Sequence, residues 1–465
     1  MSATTVPARR KAPAGIHASM LPSNCPDDDV TMHNRQDPYW GRLWAPGSQA
    51  LWSTGPMTRQ RRHNAQQFNT RLALSEEKAM SILTSSRGRS ERLAAWGVLD
   101  SWRTVSAEQM AALTGSQLLL SPRYSQIAAS YSIDLIDIGL FANLHQPRPG
   151  LNRHTLYRPG SSAAFEKLIT PTLTWPEWVS VTGGYPWSFG GQYDRHNLLA
   201  TELALRAAEY LDIGTVLGEK FSSVDLLAGT GLGKEVAKPD NRRADGTIVR
   251  TDGLRIVYEL TATASKSFAE KVRRWAQTIN DRPLETSGLV IIFVAAPHPD
   301  RPRNTSDDPR HAIYKTIAQV LKEFPGTGTD SPAARIGVAH WEEWFPAQHE
   351  VSEDFFTLRA DFATSHAAGA AKWESRHMLT EYPFTPWKTF DATAVLANAP
   401  ALAATPHWMR RGDHTALFGA PMDRSGETVP HPAPVRAHRS SGRPLGAGVG
   451  LAKDTRLPRR LRVQS

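Results

Sequence analysis

Seven consecutive apolar residues, Leu289-Val290-Ile291-Ile292-Phe293-Val294-Ala295, constrain this chain more than any other stretch. A strand with no polar side has to be covered on both faces. It therefore belongs inside a sheet with helices packed above and below. The neighbouring residues supply the rest of such a layer. Asp194 caps a helix from His196 to Leu211, with Leu199, Leu203, Leu205, Ala208 and Leu211 at helical spacing. Val216 to Phe221 reads as a short strand. Glu235 to Asp240 enters another, broken by a turn at Ala244-Asp245-Gly246-Thr247. Leu254 to Leu260 is a strongly apolar strand. Ser265 or Ser267 then caps a helix with Phe268, Val272, Trp275 and Ile279 on one face. After Leu289–Ala295 come a Pro/Asp/Arg loop, a helix over 310–323 and a strand from Ala334 to His340. The order α-β-β-β-α-β predicts an α/β (α+β) domain with a mixed sheet over 194–350.

Upstream, residues 75–160 predict a small helical domain with a flap. Ser90 to Trp102 is one helix. Ser106 and Gln109 fit a capping box, and Gly115 fits the helix stop. Ser121-Pro122 opens a further helix that carries on to Leu135, Ile138 and Leu140 and stops at Gly139. A polar hairpin-like stretch, Asn143 to Arg158, follows. Helix, short helix with turn, helix and two-stranded flap is the order of a winged helix-turn-helix, which presents one helix to the DNA major groove. Arg123, Tyr124 and Gln126 would be that helix's exposed face, and Arg148, Asn152, Arg153 and His154 the flap. A helical domain with a protein partner is the alternative. The aromatics of 161–193 (Trp175, Trp178, Tyr185, Trp187, Phe189) are expected to plug a junction between domains.

Charge is unevenly placed. The net value is +9, but 1–70 holds 8 Lys/Arg against 4 Asp/Glu and 407–465 holds 11 against 4, so the body between them is slightly acidic. Both ends are rich in Pro and Gly and are expected to be disordered basic tails that attract polyanions. The segment 351–406 is expected to be a helical or irregular extension, with one helix-like stretch at 353–375. A single cysteine, Cys25, excludes a disulfide framework and a Cys-based zinc site. No run approaches the ~18 apolar residues of a membrane span. The first twenty residues lack the apolar core of a secretory signal. The expectation is a cytoplasmic protein without a membrane partner.

Chemistry is most concentrated between Lys238 and Gln277. Asp240 and Glu259 lie about one hairpin apart, so carboxylates from neighbouring strands converge on one divalent metal, Mg²⁺ being the expected ion if the site is active. Lys271, Lys266 and Lys238 are candidates for the cation that steadies charge on a phosphate. Glu202 could add a further carboxylate. Plainer alternatives exist for each: Asp240 as a turn acid, Glu259 paired with an arginine, Lys271 solvated, Glu202 an ordinary helix residue.

These residues resemble the PD-(D/E)xK, or restriction-endonuclease-like, superfamily. More narrowly, the winged helix, Arg195-His196-Asn197, Pro239-Asp240, Tyr258-Glu259-Leu260-Thr261 and Lys271-Val272-Arg273-Arg274-Trp275 together resemble the replication-relaxation family of bacterial plasmids and mobile elements. The resemblance implies a double-stranded-DNA-binding protein acting in replication, relaxation or mobilisation of such an element. An active Mg²⁺-dependent endonuclease, or a non-catalytic regulator or adaptor, are the alternatives. One departure bears on activity. The superfamily places lysine two residues after the strand acid, and this chain has Thr261 there. The oligomeric state and the DNA site are not legible.

Overall fold

The structure is a computed structural model. It describes residues 6–7, 13–26, 30–41, 43, 48–56, 74–143, 151–188, 193–224, 243–283, 286–298, 309–326, 328–365, 372–383 and 394–411. The fold is mixed α/β. Its strands are β1 (Ser48–Ser53), β2 (Val105–Ser106), β3 (Ile136–Asn143), β4 (Leu151–Pro159), β5 (Thr215–Gly218), β6 (Gly246–Val249), β7 (Arg255–Thr261), β8 (Leu289–Ala295), β9 (Ile336–His340), β10 (Arg359–Ser365) and β11 (Lys372–His377). The main helices are α1 (Glu76–Thr84), α2 (Arg89–Trp102), α3 (Ala107–Thr114), α4 (Ser125–Ser132), α5 (Trp175–Thr182), α6 (Asp194–Tyr210), α7 (Lys266–Asp281) and α8 (Pro309–Leu321).

Among the described residues, seven strands form one sheet in the order β11-β10-β9-β8-β7-β6-β5. The apolar run is its central strand β8, buried throughout and paired in parallel with both β7 and β9. Side chains alternate as a pleat requires. Val290, Ile292 and Val294 join the core on the α6 side, while Leu289, Ile291 and Phe293 pack with Val272, Trp275, Ile313 and Ile317 of α7 and α8. Burying each such side chain stabilises the layer by about 1.5–3 kcal/mol. The β6–β7 and β5–β6 pairs are antiparallel.

The hairpin ahead of β7 turns later than the sequence predicts. The chain turns at Thr251-Asp252-Gly253, where Gly253 has φ 91° and its N–H donates to the Arg250 carbonyl at 2.9 Å. Residues 246–249, expected to include a turn, are strand β6. The sequence holds Asp-Gly twice, at 245–246 and 252–253, and the second is the one flanked by strand on both sides. Asp240 and Lys238, with the strand expected there, lie outside the described residues.

Four further expectations change. The stretch 353–375 is not one helix. Leu358, at φ 48°, ends a single turn over Glu353–Phe356, and β10 and β11 follow to extend the sheet. The helix begun near Ser121 instead runs from Ser125 to Ser132. Asp134, at φ 68°, stops it, and the Leu135–Leu140 stretch passes into β3. Residues 1–70 are not simply a tail: β1 pairs with β3, a two-residue strand Ile16–His17 pairs with Glu350–Val351, and Met32, Arg35, Asp37 and Tyr39 are buried. His407 and Arg410, also placed in a tail, bond to the Leu113 carbonyl.

The helical part runs α2, β2, α3, α4, then the hairpin β3–β4, with β2 pairing to β4. The capping box of Ser106 and Gln109 forms, and Gly115 closes α3 at φ 74°. Trp187 stacks on Phe165 at 4.2 Å, and Phe165 meets Trp96 of α2 edge-on. No helix among the described residues is long and apolar enough to cross a membrane.

Candidate functional site

The site is built by the β6–β7 hairpin and by α7, which follows it. Gly246 permits the close approach of the two strands, because a Cβ there would sit 2.0 Å from the Tyr258 hydroxyl. Gly246 pairs with Tyr258, and Asp245, the residue before it, stands beside the end of β7 that carries Glu259. The Asp245 N–H donates to the Tyr258 carbonyl at 3.2 Å, and Asp245 Oδ2 accepts the Leu260 N–H at 2.6 Å. The aspartate is thereby pinned at the carboxyl edge of β7.

Glu259 is 1% exposed and points at α7. Ser265 caps that helix by accepting the Phe268 N–H. Lys271 and Trp275, one turn apart, lie on the same face. Lys271 Nζ donates to Glu259 Oε2 at 2.7 Å, and Trp275 Nε1 donates to Oε1 at 2.7 Å. Burial pushes the Glu259 carboxyl up to about 7; Asp245 adds to the rise and Lys271 opposes it. Burial works against the Lys271 ammonium, but Glu259 and Asp245 outweigh it and hold that amine charged well above its usual range. Two carboxylates and one lysine thus act on one another at the end of one strand pair.

An open cleft of about 790 Å³ lies over this group, at the carboxyl ends of β7 and β8 and the N-terminus of α7. Arg195, His196, Arg243 and Arg274 line it together with Glu219, Asp245 and Lys271. His196 Nδ1 stands 4.0 Å from Asp245 Oδ2. A cleft beyond the carboxyl ends of parallel strands, beside a helix N-terminus, suits an anionic ligand. The donor set also fits a hard cation. Mg²⁺ takes one or two carboxylates and keeps several waters, and an ionised carboxylate oxygen retains lone pairs after one hydrogen bond. Among the described residues no group of three or more His, Cys, Asp or Glu gathers for a metal, and no zinc-type nitrogen and sulfur set is present.

The remaining predicted residues sit elsewhere. Glu202 does not reach the cleft region. It is fully buried on α6 and accepts from Arg35 Nε and Nη2, Arg206 Nε and Gln109 Nε2, at 2.9–3.1 Å. Thr261 bonds through its hydroxyl to the Thr263 carbonyl. Gln126 is 3% exposed rather than on an outer face, bonded to Arg92 and to the Arg87 carbonyl. All of α4 from Gln126 to Ser132 is buried, with α1 packed on it. Tyr124 precedes that helix half-buried, and Arg123 is exposed. Arg148, and the side chain of Arg153, lie outside the described residues.

The residue that sequence reasoning passed over is Asp245. The sequence places it in a turn, although an acid directly before a strand beside the one that carries Glu259 is the arrangement sought for Asp240. The chain matches no known protein-family model, no curated protein and no solved structure.

Proposed function

We propose that this chain is a DNA-binding protein whose mixed sheet carries a phosphodiester-cleaving site, with Asp245 and Glu259 as metal ligands and Lys271 as the cation. The carrying observation is that Asp245 acts on both Glu259 and Lys271 at the end of β7, with Lys271 Nζ 2.7 Å from Glu259. A lysine reaching the acids from α7 offsets the threonine at 261. Asp245 and Glu259 would hold Mg²⁺, whose chemistry there is to polarise a phosphodiester and activate water. Lys271 stabilises charge on the phosphate oxygens as it develops. The N-terminus of α7, with Arg195 and Arg274 at the cleft wall, orients the anion.

DNA as substrate class is supported by the α2–β2–α3–α4–hairpin order, which is that of a winged helix. Because α1 covers α4, DNA contact on this reading falls to Arg123 and the β3–β4 hairpin rather than to the body of α4. A role in replication, relaxation or mobilisation of a bacterial mobile element rests on the resemblance alone. A second reading, binding without cleavage, is favoured by the direct Lys271–Glu259 pair, which occupies the acid that a metal would need.

Supercoiled plasmid incubated with Mg²⁺ and the full chain tests the proposal. Wild type nicks or linearises it, Asp245→Asn does not, and an Asp240→Ala arm shows whether that acid contributes. DNA that is bound but uncut by wild type with any divalent metal establishes the second reading. DNA neither bound nor cut removes both.

A further inference from the structure

Behind Glu219 and Arg243 of the cleft lining lies a further guanidinium, supplied by the helical part of the chain. Residue 218 has to be small: a Cβ on Gly218 would lie 2.5 Å from Ser101 Oγ and 2.8 Å from Trp102 Cδ2. The last turn of α2 therefore rests against the end of β5. That contact brings Arg103, the residue after α2, to Glu219, the residue after β5, with Nε 3.7 Å from Oε2. Arg103 holds φ 69° and ψ −112°, a backbone conformation rarely adopted by a residue with a side chain. Its side chain is 8% exposed, yet Nε and Nη1 have no hydrogen-bond partner.

Arg243 acts on the same carboxylate from the cleft lining. Among the described residues, no hydrogen bond or ion pair within 4 Å engages it. Burial, and then repulsion from Arg103, lowers its pKa. Burial likewise pushes the Glu219 carboxyl up. Two guanidiniums thus act on the loosely held Glu219, and Asp100 acts on Arg243 as well. A buried guanidinium with nitrogens that make no hydrogen bond is costly, and its planar fork matches the oxygens of a phosphate.

We propose that Arg103 and Arg243 form a phosphate subsite, taking the backbone phosphate next to the one held at Asp245 and Lys271, while Glu219 is the resident carboxylate that this phosphate displaces. The inference rests on the DNA-cleaving reading above. It adds that the helical part supplies a ligand-binding residue to the cleft of the sheet, so that one strand is gripped by both.

Fluorescence anisotropy of the full chain with a short labelled DNA duplex, across a salt series and without divalent metal, tests it. Arg103→Gln and Arg243→Gln each weaken binding and each flatten the slope of log affinity against log salt by about 1. Glu219→Gln strengthens binding, because the phosphate no longer competes with a resident charge. Arg103→Gln and Glu219→Gln break the same ion pair, so a purely structural role moves both in one direction. Unchanged slopes in the arginine variants, or weaker binding by Glu219→Gln, overturn the subsite. If Arg103→Gln melts before it can be assayed, Arg243→Gln and Glu219→Gln decide the matter. Wild type that binds and cuts DNA while these variants behave like it removes the subsite alone. Lost cleavage with intact binding in Asp245→Asn concerns only the catalytic reading, and wild type that does not bind DNA removes both.

Discussion

Replacing Glu202 by glutamine should unfold this protein more easily and leave its chemistry alone. Glu202 sits between Arg35 and Arg206, all three fully buried, and takes four donors. Burial alone would raise its carboxyl, but Arg35 and Arg206 hold it down to about 2. Set against an unfolded glutamate near 4.3, at about 1.4 kcal/mol per pH unit, that depression corresponds to about 3 kcal/mol. The figure falls at the lower end of the ~3–5 kcal/mol lost when one partner of a buried pair is removed. Glu209 moderates the loss. It also pairs with Arg35, and burial raises its carboxyl because that arginine does not fully offset it. At roughly 2–4 °C per kcal/mol the unfolding midpoint of Glu202→Gln should fall by roughly 6–12 °C. The sign with pH follows. A depressed carboxyl contributes stability above its unfolded pKa and loses it as pH falls towards 2, so wild type and variant converge in acid. Thermal melts at neutral and acid pH, with cleavage measured per folded molecule, check both halves. A neutral-pH change no larger than the ~0.5 kcal/mol of an ordinary surface substitution would refute the ionic reading. So would lost cleavage with an unchanged melt.

Other outcomes follow from the same geometry. Lys271→Met should abolish cleavage while leaving the chain folded, and Lys271→Arg should restore little, since a guanidinium does not reproduce the compact ammonium at Glu259; plasmid nicking beside a melt reads both. Divalent-metal affinity should rise with pH through about 7, where Glu259 becomes a carboxylate while Lys271 stays charged; calorimetric titration with Mg²⁺ at pH 6 and 8 separates this from a flat profile. Removing residues up to 41 should destabilise the protein strongly, because Arg35 leaves Glu202 and Glu209 behind; a truncated chain melting like the whole would contradict it.

The sequence was legible where a pattern is local. An unbroken apolar heptamer admits few positions other than the centre of a covered sheet. Ser106 and Gln109 announce their helix within four residues, and Glu259, Lys271 and Trp275 lie on one strand and one face of the next helix. Asp245 was missed for a local reason too: two Asp-Gly pairs compete for one turn, and strand residues on both sides, rather than the dipeptide, decide between them. Helices drawn through 135–140 and 353–375 failed at single residues, Asp134 and Leu358, whose positive φ no composition announces. Arg35 was beyond reach altogether. It stands in a stretch rich in Pro, Asn and Gln without a period, and its partner is 167 residues away.

That separation sets an order of events during synthesis. Arg35 emerges long before Glu202, and at about 5–20 residues per second the wait is on the order of ten to thirty seconds. Over that interval Arg35 has neither Glu202 nor Glu209 to pair with, and its guanidinium stays hydrated. It can settle only after α6 has formed, so the beginning of the chain is among the last parts to be locked in place. A nascent chain arrested before α6 would offer this segment to proteases that leave the finished protein intact.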